Sequence, residues 1–69
     1  MDKYFTNSTT DALKCMFCLA EKTINKTGFF TEGDFLHSSY IEWERTQTQP
    51  TPMMFLVGLY YELCKRMVQ

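Results

Sequence analysis

The sequence has no apolar run long enough to cross a membrane. The longest, Met53 to Tyr61, is nine residues and includes Gly58, whereas a span needs about 20. No apolar core of signal-peptide length follows a basic start either, because Met1-Asp2-Lys3-Tyr4-Phe5 leads into a polar stretch from Thr6 to Asp11. Secretion is therefore disfavoured, and a soluble, cytoplasmic protein is expected. Charge of one sign is not in excess: seven basic and eight acidic side chains leave a net charge of −1, without the electrostatic footprint of a strong nucleic-acid binder. Cys15, Cys18 and Cys64 are odd in number, which suits reducing surroundings better than a disulfide framework. Phosphate-binding glycine loops, EF-hands, HExxH and GxSxG elbows are absent. At 69 residues and 8.2 kDa the chain makes one small domain, residues 1–69, too short to enclose a deep pocket. No catalytic residue, cofactor, small-molecule substrate or membrane partner is expected.

What is present is helical periodicity in three segments. Over residues 10–25, Leu13, Met16, Phe17, Ala20 and Ile24 fall on one helical face. Ser8, Thr9 or Thr10 is placed to cap it, and Asp11 suits the positive end of the helix dipole. Asn25-Lys26-Thr27-Gly28 stops it, with Gly28 suited to a left-handed cap. Thr31-Glu32-Gly33-Asp34 has the spacing of a capping box. Phe30 is placed to staple onto Phe35, and Leu36, Tyr40 and Trp43 form one stripe, which predicts a second helix over 32–46. Thr46 to Pro52 is a polar linker with two prolines. Thr51 as cap and Pro52 at the first helical position then start a third helix over 52–67. The predicted fold is an all-α, three-helix domain in which helices two and three can form a helix-turn-helix-like pair.

The third helix is apolar around most of its circumference. Met53, Leu56, Val57, Tyr60, Leu63, Cys64 and Met67 read as its main face, widened by Leu59 on one side and by Met54, Tyr61 and Val68 on the other. Gly58, Glu62, Lys65 and Arg66 make a narrow polar strip, with Phe55 among them. A helix of this kind is normally buried from several directions. Cores of this size commonly need oligomerisation or another staple, so the pattern points to self-association or to a larger protein partner.

Cys15-Met16-Phe17-Cys18 has zinc-ligand spacing, but the other candidates, Cys64 and His37, are isolated in separate segments rather than forming a second close pair. The CxxC also lies inside a predicted helix with no strand before it, unlike a redox motif. No metal site is expected. His37 neighbours Ile41 and Glu44 on the helix wheel and reads as a solvated His–Glu contact. The acids Glu32, Asp34, Glu42 and Glu44 are uninterrupted by any Lys or Arg, which makes the second helix an acidic element. Glu62 and Arg66 are spaced to pair at i, i+4.

Leu36-x3-Tyr40-x2-Trp43, a linker with Pro50, and Phe55-x3-Leu59 together resemble the C-terminal winged-helix segment of phage, plasmid and large-DNA-virus helicase–primase proteins. The resemblance covers about residues 29 to 60. It implies that the Leu-Tyr-Trp helix packs under a recognition helix and that the third helix meets DNA, as an accessory to replication or transcription. From Met53 to Cys64, however, that helix carries no basic or amide side chain, and base readout needs Arg, Asn or Gln. Such an apolar face suits a protein partner better than a base edge.

The leading expectation is thus a small, non-enzymatic regulatory or inhibitor protein, of the kind that viruses and mobile elements encode. It would bind protein through Met54, Phe55, Tyr61 and Lys65 as exposed contacts, since interfaces favour aromatic and Met anchors, and it is also expected to form a homodimer. The alternative is a weak helix-turn-helix DNA binder with Arg45, Lys65 and Arg66 on phosphates. Trp43, sharing a stripe with Leu36 and Tyr40, is expected in the core.

Overall fold

A computed structural model describes residues 4–68 of the chain. Three helices follow one another, α1 (Thr10–Lys26), α2 (His37–Glu44) and α3 (Pro52–Met67), and no strand occurs among the described residues. The protein is an all-α, three-helix domain.

Local chemistry explains most of the boundaries. Thr9 caps α1, its hydroxyl accepting the Ala12 N–H at 3.1 Å, with Asp11 in the first turn. Past the C-terminus, Gly28 adopts φ +86°, a left-handed conformation that favours glycine. At α3, Thr51 accepts the Met54 N–H at 3.2 Å, Pro52 occupies the first turn, and Lys65 and Arg66 stand in the last turn, where cations suit the dipole.

α2 is shorter than its sequence pattern predicts, beginning at His37 rather than residue 32. Residues 31–36 wind through successive turns instead. The Asp34 carboxylate accepts the Thr31 N–H at 2.7 Å and its hydroxyl at 3.2 Å, while Asp34 N–H donates to the Thr31 carbonyl and His37 N–H to that of Asp34. Half of the capping box therefore forms, but it closes a turn. Gly33 and a backbone-bonding Asp both disfavour helix propagation here. The staple is absent as well, because Phe30 is buried while Phe35 is 81% exposed.

The core assembles around Phe55, which is fully buried. Its ring meets those of Phe5, Phe30, Tyr40 and Trp43 at centroid separations of 5.3–5.5 Å, all edge-to-face, the arrangement that aromatic quadrupoles favour. Leu13 and Ala20 of α1, Leu36 ahead of α2, and Leu59 and Leu63 of α3 complete it. The Leu36, Tyr40 and Trp43 stripe is buried as its spacing predicts.

The orientation of α3 departs from the sequence reading. Its buried residues are Phe55, Leu59, Glu62 and Leu63, so the helix is rotated by roughly 100°, about one residue's angular step, from the predicted face. The strip containing Phe55, Gly58, Glu62 and Arg66 points largely inward. Three contacts make that possible. The N-terminal arm lays the Phe5 ring over Gly58, where a Cβ would stand 3.1 Å from Phe5 Cε2. Glu62 is buried but ion-paired with Lys65 at 3.5 Å and Arg66 at 3.3 Å, which offsets its desolvation. The Arg66 guanidinium donates onward to the Phe5 and Thr6 carbonyls and to Thr10 Oγ1, at 3.2–3.3 Å. The arm is tied to α2 as well, through the Tyr4 hydroxyl donating to Glu42 Oε1 at 2.9 Å.

Candidate functional site

Turning Phe55 inward turns the opposite side of α3 out. The Cα trace measures 34 × 24 × 16 Å, and its shortest extent is about two helix layers at the usual 8–10 Å spacing. The chain therefore covers α3 on one side. On the other, Met53, Met54, Val57, Tyr60, Tyr61, Met67 and Val68 are all exposed. They form a continuous arc along the helix, with half-buried Cys64 within it and Lys65 as its single charged side chain.

Beside this arc lies an open groove of about 380 Å³, lined by Trp43, Gln47, Thr51, Met53, Met54, Val57, Gly58, Tyr61 and Glu62. The tight 46–51 connection sets one wall, since Thr46 Oγ1 donates to the Trp43 carbonyl at 2.7 Å and the backbone turns at Thr46 and Gln47. Trp43, at the end of α2, thereby meets the first turns of α3. Besides the Trp43 indole N–H and the Tyr61 hydroxyl, the groove's polar side chains are Gln47, Thr51 and the paired Glu62.

Of the side chains expected to contact a partner, Met54, Tyr61 and Lys65 come together at this place. Met54 and Tyr61 line the groove, and the Lys65 ammonium lies 5.6 Å from the centre of the Tyr61 ring, a cation–π distance. Phe55 does not join them. The expectation that it is an exposed contact is wrong, because five aromatic rings close on one another only with Phe55 at their centre. Met53, Val57, Tyr60 and Met67, assigned to the main apolar face of the helix, are the exposed side chains instead.

The signal that would have found this arc was the series Phe55, Leu59, Glu62, Arg66. Its spacing is helical, it contains an internal ion pair, and Gly58 beside it leaves room for the aromatic arm. The Tyr60 phenol is held above the ordinary tyrosine range by hydrogen bonding with the Cys64 side chain, then by charge on Cys64, then by burial.

The bases proposed for DNA are dispersed in their roles. Arg66 is engaged by Glu62, the arm carbonyls and Thr10; Lys65 pairs with Glu62; Arg45 is exposed. Cys15 and Cys18 are exposed on α1, Cys64 is on α3, and no group of three His, Cys, Asp or Glu side chains is placed to hold a metal among the described residues. No helix among them is long and apolar enough to cross a membrane. No family model matches the chain, and no curated protein or solved structure matches it.

Proposed function

We propose that the chain is a small, non-enzymatic regulatory protein of the inhibitor type, which acts by docking on another protein through the outward side of α3. The observation that carries the reading is the unbroken apolar arc from Met53 to Val68 beside a groove walled by Trp43, Met54 and Tyr61. Contiguous apolar surface of this kind marks interaction sites rather than ordinary solvent-facing helix. Aromatic and Met side chains flanking a concavity are typical anchors. Lys65 lies at the rim, where charge steers encounter more than it holds the complex. The partner surface would insert an apolar side chain between Met54 and Tyr61, over Trp43. Arg66 is engaged within the fold, which disfavours phosphate contact by the same helix end.

The test is site-specific photocrosslinking from position 54 or 61 in a host lysate, alongside a Met54→Asp/Tyr61→Asp double variant. Both side chains are exposed, so the variant should keep its helical circular dichroism. The reading expects a defined protein crosslinked by the wild type, lost with the double variant, and altered in activity when the wild type is added. Capture that ignores the double substitution refutes it. Salt-sensitive retention of DNA, with no crosslinked protein, moves the assignment to the helix-turn-helix alternative.

A further inference from the structure

Five positions on the outward side of α3, Met53, Val57, Tyr60, Cys64 and Met67, are separated by four, three, four and three residues. That is the spacing of a coiled-coil seam, whose knobs need a facing helix with matching holes. The buried core uses little of this seam. α1 and α2 pack mainly on the side carrying Phe55, Leu59 and Leu63, and only Tyr60 meets α1 at the seam's edge, its ring 5.9 Å from that of Phe17. Taking the reading of this arc as a protein-docking surface, we propose that the seam's partner is a second copy of this chain, packed α3 against α3 in an antiparallel homodimer.

Three features of the molecule support that occupant. A repeating seam is its own complement under a two-fold axis, as an isologous interface requires. Its area is adequate. If wholly covered, Met53, Val57, Tyr60 and Met67 with the adjoining Val68 would bury on the order of 600 Å² per copy, or about 1,200 Å² in the pair, which reaches the lower edge of specific, stable interfaces. Charge is compatible too, because joining two seams buries no acid, and the arc's single cation, Lys65, stands at its edge over Tyr61. An antiparallel arrangement keeps the two Lys65 groups apart and opposes the helix dipoles, whereas a parallel one stacks like ends.

Sedimentation equilibrium of the purified chain tests this. The wild-type mass should rise from 8.2 kDa toward twice that value across the micromolar range. Val57→Lys, which places an ammonium in each half of the seam, should weaken the dimer by about 100-fold or more. Met67→Lys, on the seam but outside the groove, should weaken it as well. Phe35→Ser, which removes an exposed ring from the turns ahead of α2, should leave the mass unchanged. A wild type that stays at monomer mass up to about 200 µM, where even a weak micromolar dimer would populate, overturns the proposal, as does a dimer indifferent to both Lys substitutions. A monomer that still crosslinks a partner from position 61 removes the homodimer alone. A monomer that crosslinks nothing removes the docking reading with it.

Discussion

Replacing Phe55 by alanine distinguishes the observed orientation of α3 from the one its apolar pattern suggests. If Phe55 were a surface anchor, Phe55→Ala would leave the fold intact and weaken association. The structure requires the reverse. The ring is fully buried and stands edge-to-face against Phe5, Phe30, Tyr40 and Trp43, so truncation empties the middle of the core. Phe→Ala at such positions costs about 3–5 kcal/mol. For 69 residues, at 0.05–0.15 kcal/mol each, total stability is about 3–10 kcal/mol. The substitution thus removes about three-tenths of the stability at least, and can remove all of it. At 4–8 °C per kcal/mol for domains of this size, the melting temperature should fall by about 12 °C or more. Phe55→Leu keeps most of the volume and loses the ring contacts, which should cost about 1–2 kcal/mol. Trp43 is the single tryptophan, is buried, and touches Phe55, so urea titration followed by its fluorescence and by far-ultraviolet circular dichroism reads the core directly. An alanine variant with native dichroism and an unshifted urea midpoint would refute the placement of Phe55, and the outward arc of α3 with it.

Two further substitutions probe what surrounds that core. Gly58→Leu pushes a side chain into the space held by Phe5 and should destabilise by about 1–3 kcal/mol despite leucine's better helix propensity; a rise in urea midpoint would show that the arm does not rest there. The Tyr40 phenol is held above the ordinary tyrosine range, mainly by burial and secondly by Glu44. Its folded-state contribution is therefore complete below that range and is lost as pH rises through the raised value. The urea midpoint should hold steady up to about pH 10 and then fall, less steeply in Tyr40→Phe; identical alkaline slopes in both proteins would remove Tyr40 as a cause.

The parts of the fold that could be read from the chain were those governed by neighbours in sequence. Thr51 caps where residue type and spacing place it, Thr9 is the one of three candidates, Ser8, Thr9 and Thr10, that caps α1, and Gly28 takes the left-handed turn. The stripe Leu36, Tyr40 and Trp43 is buried because the 8-residue helix and the N-cap residue before it give those positions one shared side. The start of α2 was misread for an equally local reason. Thr31 and Asp34 satisfy both a capping box and a closed turn, and Gly33 between them tips the balance to the turn. At the proposed docking surface, Met54, Tyr61 and Lys65 were identifiable because they lie off the main apolar stripe, whereas Val57 and Tyr60 were hidden by lying on it.

From sequence alone came three helices, the caps of the first and third, the absence of a membrane-length span, and a third helix carrying more apolar perimeter than two short partners can cover. Which part of that perimeter faces inward was decided only in the assembled structure. A helix apolar nearly all round has no preferred azimuth of its own. The choice rests on contacts across the chain: an aromatic arm that fits over Gly58, an Arg66 that reaches that arm's carbonyls, and four rings with room for a fifth at their centre. Once those contacts hold Phe55, Glu62 and Arg66 inward, helical geometry leaves Met53, Val57, Tyr60 and Met67 facing water.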